Sequence, residues 1–327
     1  MSTAIPRPRV VLTDPLHPDA FNHLAEQAEI ILLDPQLSRE AADIALRAAI
    51  KTAQGLIVRR QLPPDIFDAD HDLRGVVRHG VGVDFIPVAS ATTHKLPVAN
   101  TPEVNANAVA EYAIGGMLAA TRRFVAFDRH VRDDQWDARR NAGAQTFELR
   151  GRTVGVVGYG AIGKRIGEIA SLGFGMQVAA HTRTLSRLPS GVQGVDLKTL
   201  FSVSDFIVLA CPLTDATRGM INAEVLAHAK PGATLINVAR GPVIKEADLI
   251  VALETGRIAA AVLDVFEVQP LPMASRLRDH PSVILTPHLA GTTQDAERAM
   301  GMLAVQTQLS LIKGERPSNI VNASIYT

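Results

Sequence analysis

Cysteine occurs once in the 327 residues, at Cys211. No internal disulfide can therefore staple the fold, and the usage fits a reducing compartment. Aromatic side chains make up only 4% of the chain. The interior must then be built from Ala, Val, Leu and Ile, which suits helices packed on a parallel sheet. Charge of one sign is not in excess: 33 Lys and Arg stand against 33 Asp and Glu. That balance leaves no case for a nucleic-acid or membrane-surface partner. No run of about 18 apolar residues is present, so no membrane span is expected. The start, Met1-Ser-Thr-Ala-Ile-Pro-Arg-Pro-Arg9, lacks the apolar core of a signal peptide. A cytoplasmic globular chain is the expectation, its length favours two domains, and no metal is expected.

What is present centres on Val154-Gly-Val-Val-Gly158-Tyr-Gly160-Ala161-Ile162-Gly163. A short β-branched run ends in glycines spaced G-x-G-x-x-G and then passes into helical spacing. Each glycine has a separate physical task. One makes the tight turn, one lets a pyrophosphate approach the backbone, and one brings helix and strand close. The following helix offers free N–H groups and the positive end of its dipole to phosphate. The triplet alone is a weak signal, but a strand before it and a helix from Ala161 to about Ser171 supply the context that a dinucleotide site requires.

Short apolar strands alternate with helical spacing along the whole chain. The first hundred residues carry strands at Arg9–Thr13, Glu29–Leu33, Gly55–Arg59 and Gly75–Arg78, with helices over 16–28 and 38–53. A long helix over 102–123 follows, with Pro102 near its first turn and Gly115-Gly116 available for close packing; it is expected to bridge two domains. The polar segment 128–150 reads as a surface excursion. Six further strands follow in βα order, at Thr153–Val157, Gln177–His181, Phe206–Ala210, Thr234–Val238, Ala259–Phe266 and Val283–Thr286. The last helix, about 293–313, leaves this domain, and Asn319–Asn322 is a strand-like stretch returning to the first. The expected class is α/β: a doubly wound Rossmann domain over 102–294 and a smaller α/β domain over 1–101 with 295–327.

An acidic residue ending the second strand of such a unit binds the ribose 2′-OH of NAD. Here the strand end reads His181-Thr182-Arg183, and the next carboxylate, Asp196, comes too late. A hydroxyl followed by a guanidinium suits a 2′-phosphate, with Arg187 in support. NADP is favoured, and NAD remains possible if Arg183 is only a solvated loop residue.

Several motifs together resemble the D-2-hydroxyacid dehydrogenases. They are Val76-Val-Arg-His-Gly-Val-Gly-Val-Asp84, Val109-Ala-Glu111, the glycine triplet, Cys211-Pro212-Leu-Thr214, Ile236-Asn237-Val238-Ala-Arg240-Gly241, Leu263-Asp264-Val-Phe-Glu267 and Thr286-Pro-His288-Leu-Ala-Gly291. The resemblance spans nearly the whole chain and implies hydride transfer between a nicotinamide and C2 of a small 2-keto acid. It also implies that the smaller domain is flavodoxin-like, with a cleft between the two, and that the chain is a homodimer through the cofactor domain. It makes Arg240 the holder of the substrate carboxylate and His288 the general acid. Both roles suit strand-end positions, a planar guanidinium and an imidazole titrating near neutrality. Backbone N–H groups of Val81 and Gly82 look like a second carboxylate clamp. Asp264 looks like the carboxamide partner of the nicotinamide, with Asn237 and Val238 lining that end, and Cys211 and Pro212 look like further cofactor-binding positions.

One position departs from the pattern. The family usually has a glutamate before a proline where this chain has Gln269-Pro270. Glutamine can hydrogen-bond the His288 ring but supplies no charge, so the imidazole should lose its proton at lower pH than in relatives. Formate dehydrogenases of the same superfamily also carry glutamine there, although the rest of this chain does not look like theirs. Glu267 cannot take over, because two residues along a strand displace it by about 6.6 Å.

Three arginines, Arg59, Arg60 and Arg78, end strands of the first domain, where ligands of open α/β sheets sit. Arg59 and Arg78 resemble residues with which 3-phosphoglycerate dehydrogenases hold phosphate, although Arg60 stands where those enzymes have a small hydroxyl residue. A substrate with a second anion therefore competes with a glyoxylate or hydroxypyruvate type. A dinucleotide-sensing protein with little turnover, of the family's corepressor type, is the alternative from a different class.

Overall fold

The computed structural model describes residues 7–138, 140 and 145–327. The reading of the extreme N-terminus, and part of that for 128–150, fall outside them. The chain forms two compact units, residues 1–105 with 292–327, and residues 106–291.

The first unit holds five parallel strands, β1 (Arg9–Leu12), β2 (Glu29–Leu32), β3 (Gly55–Val58), β4 (Val76–Arg78) and β5 (Val98–Ala99). Their order, β2-β1-β3-β4-β5, is that of a flavodoxin-like sheet. Alternation along the strands divides the core in two. Leu56, Val58, Val76 and Val98 pack with Leu46 and Ile50 on one face. Val10, Leu12, Ile57 and Val77 pack on the other with Leu24, Ala304, Val305 and Leu309. Each such side chain contributes roughly 1.5–3 kcal/mol on burial. The second face is closed by the helix Gln294–Ile312, capped by Thr293, whose side chain accepts from the Ala296 N–H. Gln308 of that helix is fully buried; its Oε1 accepts from Leu56 N at 3.2 Å and its Nε2 donates to Gly75 O at 3.2 Å. Asn319–Asn322 returns to this unit as an antiparallel bridge of Ile320 to Ala99.

The second unit holds β6 (Thr153–Val157), β7 (Gln177–His181), β8 (Val192–Gly194), β9 (Phe206–Leu209), β10 (Thr234–Asn237), β11 (Ala260–Leu263) and β12 (Val283–Leu285). All are parallel, in the order β12-β11-β10-β9-β6-β7-β8. The order reverses between β6 and β9, the switch point at which doubly wound sheets bind ligands. Ile207, Leu209, Leu235 and Leu263 face one apolar layer. Phe206, Val208, Ile236 and Val262 face the other, with Val109, Ala113 and Met117 of the helix Ala106–Arg122. No helix among the described residues is long and apolar enough to cross a membrane.

Several expected elements are corrected. The helix expected from 102 begins at Ala106, because Glu103 takes a left-handed φ of 68° and Val104 N closes a tight turn on Pro102 O. Pro102 is thus outside it, and the helix belongs wholly to the second unit. Of its two central glycines only Gly116 is needed for packing: an added Cβ would lie 2.9 Å from Val262 Cγ1, whereas Gly115 faces open space. The second sheet has seven strands, not six, since the short β8 adds to the edge of β7. β11 ends at Leu263 rather than Phe266, because Asp264 turns the chain. The segment after 123 includes a helix, Phe124–Arg132, with no buried residue.

Candidate active site

In a parallel sheet every strand ends at the same edge, and the candidate residues of the second unit gather at that edge on successive loops. Gly158 follows β6 with φ 93°, a left-handed value open to glycine, and an added Cβ would lie 2.7 Å from the Cys211 backbone. An added Cβ on Gly163 would overlap the Gly158 carbonyl oxygen, so helix and turn touch there directly. Gly160 faces open space and precedes the helix Ala161–Glu168 without a side-chain cap. The open Gly160 surface and the uncapped amides at Ala161 and Ile162 fit a dinucleotide pyrophosphate. Gly158 thus makes the tight turn and Gly163 the close approach of helix to turn. Cys211 is buried, which pushes its thiol up to about 11, and Pro212 beyond it is exposed.

At the end of β7, His181 Nδ1 lies 3.2 Å from Val195 O, and Arg183 is exposed in the following loop. Asp196 caps the helix Leu197–Val203, accepting from Thr199 N at 2.9 Å and from Thr199 Oγ1 at 2.8 Å. The nearest carboxylate in sequence is thus already engaged locally, and the residues at the β7 end are basic or hydroxyl-bearing.

Asn237 is fully buried at the end of β10. Its amide shapes its own loop, accepting from Ala239 N at 3.0 Å and donating to Arg240 O at 3.2 Å. Val238 is buried beside it. That loop presents the half-buried Arg240, whose Nη1 donates to Ala239 O at 2.8 Å. Gly241 follows because any side chain there would overlap the Phe266 carbonyl.

Asp264 is 1% exposed and organises the next loop. Its Oδ1 accepts from Thr286 Oγ1 at 2.6 Å and Leu289 N at 2.9 Å, its Oδ2 from Ala290 N at 2.8 Å, and its carbonyl from His288 N at 2.8 Å. These bonds hold His288 at φ 55°, a left-handed conformation that costs an L residue roughly 1–2 kcal/mol. The exposed His288 ring meets Gln269, with Nε2 of the amide 3.2 Å from Nδ1. An amide nitrogen only donates, so in this arrangement Nδ1 accepts and the ring proton sits on Nε2. The expected contact of Gln269 with the ring is thus present. Glu267 turns to Glu246 instead, exchanging backbone-to-carboxylate bonds of 3.4 and 3.2 Å. Burial, with the Glu267 charge adding to it, pushes the Glu246 carboxyl up.

In the first unit, the arginines that end strands are already engaged. Both Nη atoms of Arg59 grip the two carboxylate oxygens of Glu297, at 2.7 and 2.5 Å. Arg60 contacts both Asp14 oxygens at 3.3 Å. Arg78 is buried, donates to Val58 O at 2.9 Å and Gly82 O at 3.2 Å, and lies 4.8 Å from the Phe85 ring centre. Burial, with the Arg59 and Arg78 charges, depresses the neighbouring His79 to about 4. Val81 is exposed, and Asn100 Nδ2 orders its loop by donating to Val81 O at 2.7 Å.

Sequence reading did not single out Tyr112 or assign a task to Thr286. Tyr112 Oη lies 2.5 Å from Thr286 Oγ1, which itself bonds Asp264. No spacing pattern links residues so far apart in the chain.

Residues 114–290 match the family model for the NAD binding domain of D-isomer specific 2-hydroxyacid dehydrogenases. The chain is 35% identical to a glyoxylate reductase of Pyrococcus furiosus over 98% of this chain and 96% of that one. It is also 35% identical to a D-3-phosphoglycerate dehydrogenase of Methanocaldococcus jannaschii, over 96% of this chain but 59% of that longer one. Among solved structures it resembles an NADPH-dependent glyoxylate/hydroxypyruvate reductase from Sinorhizobium meliloti, crystallised with NADP and malonate. That likeness has a TM-score of 0.81 and 31% identity, covering 96% of this chain and 97% of that one. The glycine turn, the strand-end arginine and histidine and these likenesses agree: the chain belongs to the D-isomer-specific 2-hydroxyacid dehydrogenases and is an NAD(P)-dependent oxidoreductase.

Proposed function

We propose that this enzyme reduces a small 2-keto acid of the glyoxylate or hydroxypyruvate type to its D-2-hydroxy acid, with NADPH preferred. The observation that carries the reading is the His288–Gln269 contact on the same sheet edge as Arg240 and the glycine turn. A bound dihydronicotinamide supplies the hydride to C2 of the substrate. Arg240 holds the substrate carboxylate and draws charge toward the keto oxygen. Starting as the imidazolium, protonated on both nitrogens, His288 delivers the Nε2 proton to that oxygen as it gains charge and leaves the step as neutral imidazole protonated at Nδ1. Gln269 orients the ring through Nδ1.

The pairing of Arg59 with Glu297 and of Arg60 with Asp14 supports a substrate without a second anion, because each guanidinium charge is already matched. The basic strand end at Thr182 and Arg183, with Asp196 engaged as a helix cap, supports NADPH over NADH. The buried lone Cys211 supports a reducing, cytoplasmic setting. A homodimer is supported by the helix Phe124–Arg132, which buries none of its residues and exposes Phe124, Val125 and Val131 near Trp136.

Initial rates with glyoxylate, hydroxypyruvate and a phosphorylated 2-keto acid, each with NADPH and NADH, test the proposal. Highest kcat/KM for an unphosphorylated acid with NADPH is expected. Absence of keto-acid-dependent NADPH oxidation alongside tight dinucleotide binding would favour the sensor reading instead.

A further inference from the structure

We propose that Tyr112 and Thr286 are positioning residues for His288, acting through Asp264, by a hydrogen-bond chain that runs from the helix Ala106–Arg122 to the loop carrying the imidazole. The proposal rests on the reading of His288 as the proton donor, but its structural half can be measured without turnover.

The chain has a defined direction. Asp264 is acceptor-only as a carboxylate, so Thr286 Oγ1 donates to it at 2.6 Å. Having used its one proton, the Thr286 hydroxyl can only accept from Tyr112 Oη, 2.5 Å away. Tyr112 is suited to remain the donor: burial pushes its phenol above the ordinary range, and the Asp264 charge adds to that. The far end of the chain is the loop itself, where Asp264 also receives Leu289 N and Ala290 N and its carbonyl receives His288 N. These bonds keep a non-glycine residue left-handed at φ 55° and so set where the ring points and whether Gln269 reaches Nδ1. Without the Thr286 hydroxyl, Asp264 Oδ1 loses one donor and the Tyr112 hydroxyl loses its acceptor inside half-buried surroundings. The carboxylate is then free to turn, and the loop it holds loosens.

Three variants test this: Thr286→Val, which keeps the shape and removes the hydroxyl, Thr286→Ser, which restores it, and Tyr112→Phe. The first readout is amide hydrogen exchange at His288, Leu289 and Ala290 in the intact protein, which reports local opening. Thr286→Val is expected to accelerate exchange there by roughly tenfold and Tyr112→Phe by roughly threefold, the usual range for one hydrogen bond. Thr286→Ser should exchange like the parent. The second readout is 2-keto acid reduction against pH. In Thr286→Val, kcat should fall by roughly three- to tenfold and its alkaline limit should move down, with NADPH affinity by fluorescence unchanged. Unchanged exchange in both Thr286→Val and Tyr112→Phe, or Thr286→Ser behaving like Thr286→Val, overturns the proposal. Should Thr286→Val fail to fold, Tyr112→Phe decides alone. If the parent protein reduces no keto acid, the functional reading fails while the exchange data still decide the positioning.

Discussion

Replacing Gln269 with glutamate adds one negative charge beside the imidazole, and the structure sets the size of the effect. The amide nitrogen stands 3.2 Å from His288 Nδ1. Two unit charges at that separation attract by about 1.3 kcal/mol in bulk water. Both side chains are exposed, and measured pairs of that kind give about 0.2–1 kcal/mol. At about 1.36 kcal/mol per pKa unit, the imidazolium should persist to a pH about half a unit higher in Gln269→Glu. The sign follows from the proton's location. A carboxylate favours the charged ring, so the acid needed for reduction survives further into alkaline pH. In the parent protein the amide carries no charge, so it does not favour the charged ring over the neutral one in this way. The assay is kcat/KM for keto-acid reduction across pH 5–10 at low and high salt, since screening should shrink the shift. An alkaline limb that stays in place at low salt, in a variant that still folds and binds NADPH, would refute the pairing of Gln269 with the working imidazole.

Other outcomes follow from the same geometry. Arg183→Ala should lower kcat/KM with NADPH by roughly 10- to 100-fold, the range for a lost charge-assisted bond, while leaving NADH nearly unaffected; an equal fall with both cofactors would count against a 2′-phosphate contact. Gly163→Ala places a Cβ into the Gly158 carbonyl, so thermal unfolding should move down by several degrees for about 1–3 kcal/mol of overpacking. Dinucleotide affinity should drop with it, as isothermal titration can read. Cys211, with its thiol pushed up to about 11 by burial, holds about one thiolate in a thousand at pH 8. A disulfide reagent should therefore modify the native protein only at the rate of unfolding, and rapid stoichiometric reaction would show that this thiol is not buried in solution.

Long, strongly patterned segments are legible in the sequence itself. The βα alternation announced two parallel sheets, and Gly158, Gly160 and Gly163 announced the turn, because strand and helix periodicity are local. The edge strands Val98–Ala99 and Val192–Gly194 were not legible, since neither contains a run of three apolar residues. The start of the helix at Ala106 depended on the left-handed Glu103, a residue type that seldom marks such a break. Partners distant in sequence were equally hidden. Arg59 at a strand end looks the same in the chain whether it awaits an anion or grips Glu297. The ligand roles of Asp264 and Asn237 come from the family resemblance, and no local pattern shows that their side chains also bond the loops that they shape. Strand ends tell where a site lies, and only folded neighbours tell which side chains remain available to a ligand.

The discontinuous first unit has a consequence for synthesis on the ribosome. Residues 7–105 emerge first, but one face of their sheet stays uncovered until the helix Gln294–Ile312 arrives, with Gln308 satisfying Leu56 and Gly75. The contiguous stretch 106–291 has its own core and can fold in the interval. The nascent chain must therefore carry an incomplete, apolar sheet while nearly two hundred further residues are made, and that waiting period is when chaperones would engage it.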